Sequence, residues 1–152
     1  MALSNKERLL IEDNLNAEYL CIRKYQQYAA MAQDQKLKQV FTDLAAKEQK
    51  HADTLKGMLA GSNINDQNIF GTYNSPQGDF SNVSQNLGFT DAQLLNDALS
   101  TEKHVSSSYN NAVLESADTN IRKQLQHIQK EEQDHAETLF SEMQSKGWYK
   151  MS

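Results

Sequence analysis

The chain has very few residues that break helices or form covalent cross-links. Its 152 residues include one proline, Pro76, six glycines and one cysteine, Cys21. A single cysteine excludes an intrachain disulfide framework and a Cys-x-x-Cys electron relay. Because proline and glycine are the residues that disfavour helix interiors, their scarcity allows long uninterrupted helices. The sequence is also long enough to bury a core of its own.

The sequence also lacks a long apolar segment and an excess of positive charge. The first ten residues, MALSNKERLL, do not contain the apolar run of a signal peptide, and no stretch approaches membrane-spanning length. The net charge of −5 argues against nucleic acid as a partner. These features predict a protein that is made in the cytoplasm and binds neither a membrane nor nucleic acid.

What the sequence does contain is helical periodicity. Apolar residues recur at steps of three and four in four segments, which is typical of helices that bury one face. Ser4 with Glu7, and Thr90 with Gln93, form capping boxes that begin the first and third segments. We therefore predict an all-α four-helix bundle, a single domain over residues 1–152. Its predicted helices span about residues 5–32, 35–60, 91–116 and 119–146.

Residues 61–89 differ from the rest of the chain. They are rich in Gly, Asn, Ser, Gln and Asp, yet they include several large apolar residues, such as Ile69 and Phe70. An extended segment of this length, at about 3.3 Å per residue, is long enough to run beside a helix of roughly 38 Å. The segment is therefore predicted to be a long crossover that joins two helical hairpins along the side of the bundle.

A repeat inside the chain places six metal-binding residue types at matched positions. Glu-Gln-x-His-Ala-x-Thr-Leu occurs at 48–55 and again at 132–139, an offset of 84 residues. The same offset relates a glutamate 30 residues before each motif, and it also relates Tyr25 to Tyr109. Each predicted helix thus places a glutamate where an apolar residue is expected. The six candidate ligands are Glu18, Glu48, His51, Glu102, Glu132 and His135.

A single glutamate or histidine in a bundle core is more often a hydrogen-bonded core residue than a ligand. Four carboxylates and two imidazoles in one layer are different, because burying each uncompensated carboxylate costs several kcal/mol. The predicted seams offer few hydrogen-bond donors apart from Tyr25, Tyr109 and Ser106. One glutamate from each of two helices and Glu-x-x-His from the other two is the ligand pattern of a two-metal site.

The ligand types indicate which metals would bind. Glu48 and Glu132 can each bridge two ions, while each histidine and each remaining glutamate completes one ion. Carboxylate with imidazole suits iron, with manganese as an alternative and zinc as an adventitious occupant. We therefore predict two iron ions, with open positions for dioxygen or peroxide.

The remaining polar candidates have ordinary interpretations. Tyr25 and Tyr109 are interpreted as core aromatics, with a proton or electron relay as the less favoured alternative. Cys21 lies one turn from Glu18 and is interpreted as a small core residue. His104 and His127 do not fall on the predicted inner faces, so they are interpreted as surface residues.

These residues carry two resemblances to known families. Glu18, Glu48-x-x-His51, Glu102 and Glu132-x-x-His135 resemble the ligand set of the ferritin-like di-iron carboxylate superfamily, including the rubrerythrins, over nearly the full length. Residues 90–149 more closely resemble the spore coat protein F family. The features shared with that family are Glu102-Lys103, Tyr109, the region of Arg122 and the terminal Met-x-x-x-Gly-Trp-Tyr.

The two resemblances imply the same fold but different functions. The first implies a di-iron protein that reacts with peroxide or dioxygen, in oxidative-stress defence or iron oxidation. Rubrerythrins carry a further glutamate where this chain has Leu99, and the chain contains no rubredoxin domain, so an enzyme of this kind would need an external electron donor. The second implies a structural protein of the spore coat whose metal site only stabilises the bundle. A homo-oligomer or other coat proteins would then be its partners.

Overall fold

A computed structural model describes residues 2–61 and 88–149. Within these residues the chain forms four α-helices and no strand. They are α1 (Asn5–Met31), α2 (Gln35–Ala60), α3 (Asp91–Glu115) and α4 (Thr119–Ser145). The predicted all-α four-helix bundle is confirmed. Helices α1, α3 and α4 end one residue earlier than the sequence pattern indicated, because Ala32, Ser116 and Lys146 have left helical geometry as C-caps.

The bundle consists of two helical hairpins. α1 packs most extensively on α2, and α3 packs most extensively on α4; α1 also packs along α3, whereas the contact between α2 and α4 is the smallest of the four. The predicted crossover at 61–89 joins the hairpins in sequence, but most of it lies outside the described residues.

Local sequence determines where each helix begins and ends. Ser4 and Thr90 accept hydrogen bonds from the backbone N–H groups of Glu7 and Gln93, and both capping boxes are complete. Asp34 and Asp118 cap α2 and α4. At the far end of α4, Gly147 has a φ of 71°, a left-handed conformation that glycine adopts without steric cost.

The two short turns within the hairpins are held by acidic residues of the opposite hairpin. A carboxylate oxygen of Glu7 in α1 accepts the N–H groups of Ala117 and Asp118, at 2.8 and 3.0 Å. The carboxylate of Asp91 in α3 accepts those of Gln33 and Asp34, at 2.9 and 3.0 Å. Each residue is 84 positions from its counterpart, so the internal repeat extends to the way the hairpins dock.

The core follows the predicted seams and continues on both sides of a polar layer. Tyr25 stacks on Phe41 with ring centroids 6.0 Å apart, and both rings belong to the same core as the aliphatic side chains. One predicted inward residue, Ser106, is only half-buried, since the helix turns Val105 to the core instead. Fully buried members of the core include Leu15, Ile22, Leu37, Leu44, Leu55, Leu95, Leu125 and Leu139.

Candidate metal centre

The six predicted ligands lie together in the middle of the bundle. Each helix contributes at a seam position, so the side chains point to the shared axis, and none of the six is more than 2 % exposed. The i, i+3 spacing in α2 and α4 puts each glutamate and its histidine on one helix face. The six residues are Glu18, Glu48, His51, Glu102, Glu132 and His135. The assignment of these six residues as metal ligands stays a prediction.

The layer divides into two groups of four residues, each with donor atoms close enough to surround one ion. In each group the ligand atoms lie within 4.8 Å of one another. Glu48 and Glu132 belong to both groups. The two shared carboxylates are therefore in the position to bridge two ions. The first group adds Glu18 and His51, and the second adds Glu102 and His135.

Both imidazoles face the layer through Nδ1. Nδ1 of His51 lies 2.9 Å from Oε1 of Glu132 and 3.2 Å from Oε2 of Glu48. Nδ1 of His135 lies 2.9 Å from Oε1 of Glu48 and 3.4 Å from Oε2 of Glu132. The two rings are nearly parallel, with centroids 5.5 Å apart. Each histidine thus approaches a shared carboxylate of the other hairpin, and Nδ1 is the atom available to a metal.

The two remaining glutamates are each held by a tyrosine from the opposite hairpin. The hydroxyl of Tyr25 in α1 donates to Oε1 of Glu102 in α3, and the hydroxyl of Tyr109 in α3 donates to Oε1 of Glu18 in α1. Both tyrosines are essentially fully buried. These hydrogen bonds hold the two carboxylates in position, which gives the tyrosines a structural role. Each tyrosine is therefore one hydrogen bond away from the layer.

The layer is electrostatically costly without added positive charge. Burial, together with the neighbouring Glu48, raises the pKa of Glu18 well above its usual value. Burial raises the pKa of Glu102 to about 7. Burial alone would lower the histidine pKa values, but the hydrogen bonds that the imidazole donates to Glu102, Glu132 and Glu48 prevail and raise the pKa of His135 to about 11. Protons or metal ions must therefore offset the carboxylates.

The residues fit metal ions better than they fit a closed hydrogen-bond network. Among the described residues, Oε2 of Glu18, Glu102 and Glu132 is buried and accepts no hydrogen bond. Buried carboxylate oxygens without partners are rare in native proteins. The other carboxylate oxygen of each of these residues is already paired with a tyrosine or histidine. A divalent cation in each group would give the three unpaired oxygens a partner. The chemistry of the donor set, carboxylates with imidazole, agrees.

One residue beside the layer was missed by the sequence reasoning. Oε2 of Glu131 lies 2.5 Å from Nε2 of His51, on the outer edge of that ring, and Oε1 of Glu131 lies 3.1 Å from Nε2 of His127. His127 is a surface residue as predicted, yet it contacts a partner of a candidate ligand. The available signal was the break in the repeat, since Glu131 corresponds to Lys47.

Cys21 is buried, as expected for a small core residue. Burial and the nearby carboxylates of Glu48 and Glu18 raise the pKa of its thiol well above the usual value, so the reactive thiolate is disfavoured.

No helix in the described part of the chain is long and apolar enough to cross a membrane.

Comparisons with known proteins support the same architecture. The whole bundle is similar to the structure of a dodecameric thioferritin, the bacterioferritin-related protein from Bacteroides fragilis. The TM-score is 0.75 at 18 % sequence identity, and the match covers 95 % of this chain and 89 % of that one. The fold is ferritin-like.

The second hairpin carries a further similarity. Residues 90–152 match the Coat F domain family, which agrees with the resemblance that the sequence showed over 90–149. No curated protein matches the chain. The chain is thus a ferritin-like bundle with a buried glutamate and histidine cluster that could hold metal, and its second hairpin resembles spore coat F proteins.

Proposed function

We propose that the chain is a di-metal carboxylate protein that holds two iron ions and reacts with peroxide or dioxygen. The observation that carries the proposal is the pair of overlapping donor groups, each with three glutamates and one histidine and with Glu48 and Glu132 in common. Manganese is the alternative occupant and zinc an adventitious one, because the same hard donors accept all three. The process served would be oxidative-stress defence or iron oxidation.

The chain's own residues would prepare such a centre. The four glutamates supply four negative charges, which two divalent ions neutralise, and each histidine adds one neutral donor. Tyr25 and Tyr109 hold Glu102 and Glu18 in place, so the ligands need little rearrangement when metal enters. A bound pair of iron(II) ions would supply two electrons to an oxidant. An external reductant would be needed for turnover, and Tyr25 and Tyr109 are candidate relays toward it.

The surrounding core would exclude water from the centre and hold the ligands in place. Aliphatic and aromatic side chains on the same helices, such as Phe41, Leu44 and Leu125, are fully buried in the core. A dry, low-dielectric environment strengthens the attraction between the carboxylates and bound cations.

A second candidate function follows from the match of residues 90–152 to the Coat F domain. In this alternative the chain is a structural component of the spore coat, and its metals only stabilise the bundle. Other coat proteins or further copies of the chain would be its partners, and it would be made in the cytoplasm before deposition. A homo-oligomer is also proposed for the enzyme, since the similar thioferritin is dodecameric.

One experiment separates these functions. Metal-free protein is loaded anaerobically with iron(II), the metal content per chain is measured, and peroxide or air is then added while absorbance is recorded. Two irons per chain that oxidise faster with peroxide indicate a peroxidase, and faster oxidation with air indicates an oxidase or ferroxidase. Two metals that bind, raise the melting temperature and do not react favour the coat protein. If the chain binds no stoichiometric metal, the proposed centre is wrong.

A further inference from the structure

His51 is the candidate ligand whose outer edge meets a second carboxylate. Nε2 of His51 contacts Oε2 of Glu131 at 2.5 Å, while Nδ1 of the same ring faces the layer. The Glu131 side chain is 41 % exposed and that of His51 is 3 % exposed, so this contact lies at the boundary between core and solvent. It lies at a groove of about 460 Å³ between α2 and α4, whose lining includes Lys50, Lys123 and His127.

The position of Glu131 is fixed from two sides. One oxygen faces His51, and the other lies 3.1 Å from Nε2 of His127, one turn earlier in α4. A carboxylate that accepts the Nε2–H of a histidine fixes the tautomer that presents the Nδ1 lone pair, and it also fixes the ring orientation. Glu131 therefore orients His51 toward the first donor group.

The second half of the centre is built differently at the equivalent point. The internal repeat that relates His51 to His135 relates Glu131 to Lys47, and it relates His127 to Asp43. Lys47 is exposed, and its ammonium group has no acceptor to offer an imidazole N–H. Among the described residues, no carboxylate contacts Nε2 of His135 in the way that Glu131 contacts His51.

We propose that Glu131 is a positioning residue for His51 and that it makes the two metal positions unequal. The position formed with Glu18 and His51 binds a divalent ion more tightly than the position formed with Glu102 and His135. The inner donors are matched by the repeat, so the difference arises outside them, at Glu131 and Lys47. This inference rests on the two-metal centre proposed above.

The test is a titration of the metal-free full chain with manganese(II), and separately with cobalt(II), followed by calorimetry. The native chain is expected to bind two ions in two steps. Glu131→Ala removes the acceptor and is expected to weaken the tighter step by about tenfold or more, with the weaker step unchanged. Glu131→Gln retains an oxygen that can accept the Nε2–H, and it is expected to recover part of the loss.

Lys47 provides the matched control on the other helix. Lys47→Ala is expected to leave both steps unchanged, whereas Lys47→Glu supplies the missing carboxylate and is expected to strengthen the weaker step. Proton NMR of the cobalt-loaded chain gives a second measurement, because the Nε2–H of each bound histidine has its own shifted resonance. In the native chain one resonance should exchange slowly with water, and in Glu131→Ala that resonance should exchange faster.

The outcomes are distinct. Two equal steps in the native chain, or a Glu131→Ala variant that keeps the tighter step and the slow exchange, would overturn the role of Glu131. Equal weakening of both steps would also overturn it, because Glu131 would then affect the whole bundle rather than one position. No binding by the native chain would overturn the two-metal centre itself, and this inference with it.

Discussion

The two hairpins of this bundle are alike inside and different outside. Glu18, Glu48 and His51 in the first match Glu102, Glu132 and His135 in the second, and all six are buried. Outside that layer the equivalent positions diverge, as at Lys47 and Glu131. The comparison teaches that the repeat is retained in the buried layer of carboxylates and imidazoles and is lost at the layer's outer edge, at Lys47 and Glu131.

The contacts between the hairpins show the same division. Tyr25 and Tyr109 donate equivalent hydrogen bonds to glutamates of the opposite hairpin, and both tyrosines are fully buried. Glu7 and Asp91 hold equivalent turns, but Glu7 is 4 % exposed, whereas Asp91 is only partly buried. Equivalent geometry therefore does not imply equal energy, and substitutions at matched positions measure the difference.

The largest effect is expected at the shared glutamates. Glu48→Ala and Glu132→Ala each remove a carboxylate that belongs to both donor groups, so each variant should lose the second metal ion. Because the two residues are equivalent, their losses should be similar. Metal content after iron(II) loading provides the measurement, and Glu137→Ala on the exposed face of α4 is the control. A variant that keeps two ions per chain would show that the ligand assignment is wrong.

The buried tyrosines should give the next largest effect. Tyr25→Phe leaves Oε1 of Glu102 without its donor, and Tyr109→Phe does the same to Glu18. Each should lower the free energy of unfolding of the metal-free chain by about 2 kcal/mol, a typical cost of an unsatisfied buried group. Urea unfolding is the measurement, and Tyr28→Phe, which removes a half-buried hydrogen bond to Asp97, should cost less than either variant. Unequal losses would show that the two hairpins are not equivalent even in the core.

Glu7 and Asp91 are expected to differ, with Glu7 the more important. Hydrogen bonds from the backbone of Asp118, then of Ser4, lower the pKa of Glu7 from 4.5 to about 2. Such a shift corresponds to about 3 kcal/mol of stabilisation at neutral pH. Glu7→Gln should therefore destabilise the chain more than Asp91→Asn does in urea unfolding at pH 7.

The same residue predicts a dependence of stability on pH. Because the pKa of folded Glu7 lies below its ordinary value of 4.5, the unfolded chain binds the proton more tightly. The stabilisation is fully present above pH 4.5 and is lost as pH falls toward about 2. The free energies of unfolding of the native chain and of Glu7→Gln should therefore converge as pH falls through this interval. A constant difference between the two down to pH 2 would contradict the assignment.

Much of this organisation could be predicted from the sequence, because it depends on spacing along single helices. The period of the apolar residues gives four helices, and the i, i+3 motifs place Glu48 with His51 and Glu132 with His135. The offset of 84 residues indicates that the hairpins are equivalent, so their six side chains are expected in one layer.

Contacts between helices could not be predicted in the same way. The role of Glu131 depends on how closely α4 approaches α2, and the second role of Glu7 depends on where the turn before α4 lies in space. Sequence spacing gives the face on which a residue lies, but it does not give the partner beyond that face. Glu7 was therefore identified only as part of a capping box, and His127 only as a surface residue.

The smallest expected effect concerns a link that only one side of the α1–α3 interface has. Asp97 in α3 accepts the hydroxyl of Tyr28 and forms an ion pair with Lys24 at 2.8 Å. Its equivalent in the first hairpin is Asp13, which is exposed. The repeat relates Tyr28 to Ala112 and Lys24 to Ser108, so Asp13 has no matching tyrosine or lysine as a partner. Since solvent screens the ion pair, Asp97→Asn should cost about 0.5–1 kcal/mol in urea unfolding. Asp13→Asn should change stability by less than about 0.5 kcal/mol, the usual range for surface substitutions. Equal effects would mean that this link adds nothing to the stability of the bundle.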